Sequence, residues 1–202
     1  MKKEEMLYRE IASDYMKGTN RFTQLELSRR LSISISTVNA ALKNVSRINA
    51  VQINNRSFSI IALDRLLAYW ATHRNIERDI HCKITLGAGV NEIESSMSGG
   101  IAFAAYTAYK RTYSDVPADY GEVYVYATEN GAAEIKRRFR QGAGTSSIVV
   151  LKADPVLERM ISAASPKIMS VAPAQIFVDL WNIRTWYAKE FADALSKRIF
   201  GA

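Results

Sequence analysis

The sequence predicts an α+β protein: an amino-terminal helix-turn-helix domain with a hairpin behind it, then a small mixed α/β domain ending in two helices. Three observations predict it. Residues 23–45, TQLELSRRLSISISTVNAALKNV, carry two apolar stripes at helical spacing, separated by a short serine-containing break. Residues 50–61 then switch to period two. From residue 80 onward, short branched runs alternate with helical stretches, and residues 80–202 are numerous enough for a second core.

Taking the elements in order, residues 2–17 place Met6, Leu7, Ile11 and Tyr15 on one helical stripe, and Gly18 with Asn20 marks its stop before Phe22. Thr23, followed three residues later by Glu26, reads as a capping box that satisfies the free amides opening a second helix. Leu27 and Leu31 share its inner face. Ser32, Ile33 and Ser34 break the run, and Ser34 is a good N-cap for a third helix that turns Val38, Ala41, Leu42 and Val45 inward. Ile35, Ser36, Thr37, Asn39, Ala40, Lys43 and Asn44 are left on or near the outer face. Residues 50–54 and 57–61, with Val51, Ile53, Phe58 and Ile60 at period two, pair through Asn54 and Asn55, since asparagine tolerates the positive φ of a tight hairpin. A hairpin directly behind a helix-turn-helix is the arrangement called a winged helix-turn-helix, here over residues 1–62, with Arg56 near the wing tip.

Residues 63–79 begin with a connecting helix whose inward face is Leu63, Leu66, Leu67 and Trp70, free to pack on either domain or on a second subunit. His73 lies near its end, where a helix terminus favours a cation, so a capping or surface role is expected. In the second domain, residues 81–86 read as a strand, 90–97 as a short helix and 100–113 as a longer one. Residues 123–127 and 148–152 read as buried strands separated by a helix over 132–140. Two helices close the chain at 173–181 and 186–200, with Phe177, Leu180 and Trp181, then Tyr187, Phe191, Leu195 and Ile199, on their apolar stripes.

Charge is concentrated at one end. Residues 1–75 hold 12 Lys plus Arg against 6 Asp plus Glu, a net of +6, whereas residues 76–202 hold 15 against 14, a net of +1. Between residues 21 and 56, Arg21, Arg29, Arg30, Lys43, Arg47 and Arg56 face Glu26 alone. Such a face releases counterions from a phosphate backbone. The expected partner is double-stranded DNA, read by Ser34, Ser36, Thr37, Asn39, Lys43 and Asn44 of the third helix, by Arg29 and Arg30 of the second and by Arg56 of the wing. Asn39 is able to pair bidentately with adenine, and Lys43 is placed for a phosphate. The one cysteine, Cys82, excludes an internal disulfide framework, and no apolar run approaches the ~18 residues of a membrane span. The amino terminus mixes both charges and lacks the apolar centre of a secretory signal, so a cytoplasmic protein is expected.

Catalytic and metal constellations are not expected. Asp119 with Glu134 and Lys136 superficially matches the acid, acid, lysine set of metal-dependent nucleases, but that set needs a strand, and residues two apart on a helix point to different faces. Gly144, Thr145, Ser146 and Ser147 lack the acidic partner that a nucleotidyl-transfer enzyme requires. His81 and Cys82 are adjacent, and on a strand they would face opposite sides. Ser98, Gly99 and Gly100 at an expected helix start would present amides to a phosphate or permit close packing. Lys136, Arg137, Arg138 and Arg140 form either a nucleic-acid or partner surface or the solvated side of a helix whose inner face is Ile135 and Phe139. No cofactor is called for. A protein-interaction module using the winged helix for docking is the other alternative.

The order of a winged helix, a Ser98-Gly99-Gly100-Ile101-Ala102 segment, short strands and a terminal run in which Ala172, Pro173, Gln175, Asp179 and Leu180 stand at fixed spacing resembles the AbiE-type antitoxin regulators of type IV toxin-antitoxin systems. The resemblance covers most of the chain through short motifs. It implies an autorepressing antitoxin, encoded near a nucleotidyltransferase-like toxin that it counters indirectly, or a stand-alone relative of one; the helix-turn-helix itself predicts a homodimer reading half-sites about one helical turn apart.

Overall fold

The computed structural model describes residues 2–55 and 57–201, and the chain divides into two compact units, Met1–Arg74 and Asn75–Ala202. The architecture is mixed α/β, with ten α-helices and a five-stranded sheet among the described residues.

In the first unit, α1 (Lys3–Met16) is followed by α2 (Gln24–Leu31) and α3 (Ile35–Ser46). The Thr23 hydroxyl accepts the Glu26 N–H at 3.2 Å, which is the N-cap half of the expected box. Ser32 ends α2 in the left-handed region at φ 54°, and the Ser28 hydroxyl donates to the Ile33 carbonyl at 2.7 Å, fixing the turn. Strands β1 (Val51–Ile53) and β2 (Phe58–Ile60) pair antiparallel with Val51 opposite Ile60. Phe22 adds a bridge to Phe58, whose ring it stacks against at 5.3 Å. The Asn54 N–H donates to the Ser57 carbonyl at 2.8 Å across the connection. Positive φ falls elsewhere: the left-handed asparagine among the described residues is Asn49, at 55°, before β1.

The helix read as a connector belongs to this first unit. Helix α4 (Leu63–His73) packs on α1 and α3, burying Leu66, Leu67, Trp70 and Ala71, while Leu63 is only half-buried. Its end is tied to α1 through one carboxylate: Trp70 Nε1 and Arg74 Nη1 each donate to Glu5 Oε2 at 3.3 Å. The boundary therefore lies after Arg74 rather than after residue 62, and no residue of α4 is left to span a gap. His73 Nδ1 lies 2.8 Å from the Tyr69 carbonyl, and its ring stacks on Tyr69 at 4.1 Å.

The second unit is built on a five-stranded sheet. A 3-10 turn at Ile76–Asp79 leads into β3 (Ile80–Leu86), then α5 (Val90–Ser95), β4 (Ile101–Phe103), α6 (Ala105–Tyr113), β5 (Glu122–Ala127) and α7 (Glu129–Arg138). After these come β6 (Ser146–Lys152), α8 (Pro155–Ala164), β7 (Met169–Ser170), α9 (Pro173–Asn182) and α10 (Trp186–Phe200). The strand order is β3-β6-β5-β4-β7, in which β5 and β6 are parallel, as are β4 and β7, and the other pairs are antiparallel.

Three expectations change here. Residues 100–113 are a strand and a helix rather than one helix, because Gly100 at φ 83° and Ala105 at φ 45° interrupt the run and β4 fills the place between β5 and β7. Ser98, Gly99 and Gly100 consequently precede a strand and offer no helix start. Helix α8 and strand β7 add to the elements that the spacing predicts. The α8 cap is Asp154, whose carboxylate accepts the Val156 and Leu157 N–H groups at 3.0 and 3.2 Å, with Pro155 at the first helical position.

One face of the sheet is held by aromatic and polar contacts to α6, α9 and α10. Tyr106 of α6 lies within 5.9 Å of the rings of Tyr120, Tyr124, Tyr187 and Phe191. The Tyr126 hydroxyl donates to the fully buried Asp179 at 2.9 Å, and Gln175 Nε2 donates to the same carboxylate at 2.8 Å. Thus the conspicuous Gln175 and Asp179 spacing fixes α9 to β5. Trp181 departs from its stripe and is 53% exposed. No helix among the described residues is long and apolar enough to cross a membrane.

Candidate nucleic-acid interface

Helix α3 is divided into a dry side and a wet side. Val38, Ala41, Leu42 and Val45 are fully buried, and their burial sets the rotation of the helix about its axis. What remains is an outward row: Ile35, Ser36, Asn39, Ala40 and Lys43 are all exposed, Ile35 by 42%. Ser34 accepts the Thr37 N–H at 3.1 Å, and its hydroxyl also lies 2.8 Å from those of Ser36 and Thr37. These three hydroxyls form a small polar network around the first turn, where the helix dipole is positive.

The expected site residues separate into groups. Ser34, Ser36, Thr37, Asn39 and Lys43 share α3 or its cap and lie along one surface. Asn44 is half-buried on the same helix, close enough to the Tyr8 hydroxyl of α1 to act on its titration. The Tyr8 hydroxyl in turn donates to the Ala41 carbonyl at 3.1 Å, and burial pushes its pKa up. Arg30 of α2 is likewise claimed from within: its Nη2 is 2.7 Å from Asp14 and its Nε 3.9 Å from Glu10, both on α1. Arg29 remains exposed. Arg56 lies outside the described residues.

Beside the hairpin end, Arg21 lines an open hollow together with Ile53, Asn54, Asn55 and Ser57. Sequence spacing put Arg21 only in the basic cluster. What brings it to the hairpin is the backbone bridge of the neighbouring Phe22 to Phe58, with N–H to carbonyl distances of 3.0 and 2.9 Å. Ile53, in the period-two set with the buried Val51, is itself 40% exposed here. The three-residue strand is too short to carry the core out to its tip.

The basic run of the second unit has a different character. Arg137 donates two hydrogen bonds to Glu134, at 2.9 and 2.8 Å, and Arg138 donates to the Ser96 carbonyl at 2.6 Å. Lys136 Nζ is 3.0 Å from His81 Nε2. Glu134 and Lys136 are on a helix, as the spacing argument requires, and do not share a face with Asp119 through any strand. Among the described residues, no three His, Cys, Asp or Glu side chains converge on a point that would hold a metal ion. Compared with protein-family models, with curated proteins and with solved structures, the chain matches none.

Proposed function

We propose that the first unit is a winged helix-turn-helix that reads double-stranded DNA, and that the chain is a sequence-specific transcriptional regulator. The single observation that carries this reading is the outward row of α3, polar or small throughout except for Ile35, set opposite a fully buried face. An α-helix fits the major groove, and small side chains let its backbone approach the base edges. Asn39 supplies the amide geometry that pairs with adenine, Ile35 and Ala40 offer apolar contact to a thymine methyl, and Lys43 meets a phosphate. Arg21 beside the hairpin and the exposed Arg29 of α2 add further positive charge, and the hairpin serves as the wing.

The regulator is an autorepressor acting as a dimer in the cytoplasm on two half-sites about one helical turn apart. Its resemblance to AbiE-type antitoxin regulators extends the reading to a nearby nucleotidyltransferase-like toxin, countered without direct contact. The buried positions of Gln175 and Asp179 favour a structural role for the motif behind that resemblance.

The test is a gel-shift titration against the chain's own upstream DNA at several salt concentrations, with random duplex as control. The expected result is tighter binding of the upstream fragment and an affinity that falls steeply with salt. Equal affinity for both duplexes would overturn the proposal.

A further inference from the structure

Helix α7 presents Glu129, Ala132, Ala133 and Lys136 at positions i, i+3, i+4 and i+7, which form a single stripe. All four line a half-open hollow of about 500 Å³, bordered on its other sides by His81, the ends of β5 and β6, and Glu158 of α8. The hollow lies beyond the carboxyl ends of β5 and β6, at Ala127 and Lys152, where two parallel strands hand over to helices. Open sheets leave room for ligands at such ends. The volume suits a small organic molecule.

The lining restricts the chemistry of that molecule. Four alanines, Ala127, Ala132, Ala133 and Ala153, keep the surface apolar and the space unfilled. Two ammonium groups, Lys136 and Lys152, and two carboxylates, Glu129 and Glu158, stand around them. Their formal charges cancel, so a ligand of one sign meets as much repulsion as attraction, whereas a molecule carrying both signs gains at both poles. Along α7 the α-carbons of the acid and the base are about 10 Å apart, with the alanines between them. Lys136 is further held at its pole by His81 Nε2, 3.0 Å away.

We propose that this hollow is a binding site for a small zwitterion, an ammonium and a carboxylate joined by a compact body, with the carboxylate at Lys136 and the ammonium at Glu129. Free amino acids and dipeptides both have this chemistry. The site lies wholly within the second unit, and the inference does not rest on the DNA-binding reading.

The test is isothermal titration of the full chain with free L-amino acids and with alanine-containing dipeptides, each added singly. Saturable binding of one class and not the other identifies the source. For the best binder, the N-acetylated and the amidated derivatives are each expected to bind about tenfold more weakly, as are Lys136→Ala and Glu129→Gln with the parent ligand. Ala133→Trp, an exposed substitution at the mouth, is expected to abolish binding without altering the melting temperature, and Lys83→Ala serves as an unaffected control. The proposal is overturned if no amino acid or dipeptide binds at millimolar concentration, if the blocked derivatives bind as well as their parents, or if the folded Lys136→Ala and Glu129→Gln chains bind like the original.

Discussion

Helices α3 and α7 make an instructive pair. Helix α7 ends in three consecutive cations, Lys136, Arg137 and Arg138, while α3 carries Lys43 alone. By charge density, α7 is the better candidate for a phosphate backbone. Yet Arg137 is clamped on Glu134 and Arg138 is shared between Ser96 and Glu134, so two of the three are already answered within the chain. On α3 the lysine instead stands in an exposed row of small and amide side chains. The difference teaches that a cation's partners within the chain decide what it offers outside, and that the number of cations on a helix does not. Arg30 repeats the lesson inside the first unit, since Asp14 already answers its charge.

The comparison can be broken at its base by removing the core that aims α3. Leu42→Ala, at a fully buried position, is expected to cost about 2–5 kcal/mol, read as a lowered midpoint in denaturant. Ile135→Ala beneath α7 should destabilise the second unit while leaving the DNA affinity of the folded chain unchanged. A smaller effect comes from the row itself: Lys43→Glu is expected to weaken binding to upstream DNA by about tenfold or more, equivalent to about 1.4 kcal/mol, and to flatten the salt dependence. An unchanged slope in that titration would remove Lys43 from the interface.

Converting α7 toward the behaviour of α3 gives the next test. Glu134→Gln releases Arg137 and leaves Arg138 held by the Ser96 carbonyl alone, and affinity for random duplex should rise a few-fold while the preference for the upstream fragment narrows. The smallest effect concerns Glu94 of α5. Burial acts to raise its pKa, but hydrogen bonds from Lys110, Tyr120 and Thr107 together outweigh it and hold the carboxyl below its ordinary value of 4.5. A depressed folded value means that the stabilisation is present above that ordinary value and is lost as pH falls through the folded one. The stability difference between the original chain and Glu94→Gln should therefore disappear in acid. It should amount to no more than about 1 kcal/mol at neutral pH, because Lys110 is partly exposed.

Legibility in the sequence followed the range of the forces involved. The α2 to α3 segment is specified by near neighbours: Thr23 and Ser34 cap helices that begin beside them, and the inward stripe of α3 follows from spacing alone. Residues 101–103 look helical by the same local criteria, yet they form β4, because pairing with β5 and β7 from distant parts of the chain satisfies their backbone better. Asn44 and Arg30 sit at plausible reading positions by spacing, but their partners Tyr8, Glu10 and Asp14 lie on α1, a proximity that only the folded chain supplies. Helix α8 did carry a local signal, Asp154 followed by Pro155, and an N-cap reading of that pair would have found it. The hollow beside α7 had only half a signal, since its stripe is visible in the sequence but the strand ends that close it are not.

The close approach of Gly100 and Gly131 sets a limit on how this chain can vary. A Cβ on Gly131 would stand 2.1 Å from the Gly100 carbonyl oxygen, a backbone atom that no change of side chain at residue 100 can move aside. In a saturation library scored for folding, position 131 should accept glycine and nothing else, whereas Glu129 and Ala133 on the same helix are exposed and tolerate substitution. Any lineage that changes the ligand preference of the hollow would then do so by exchanging its rim around one invariant point.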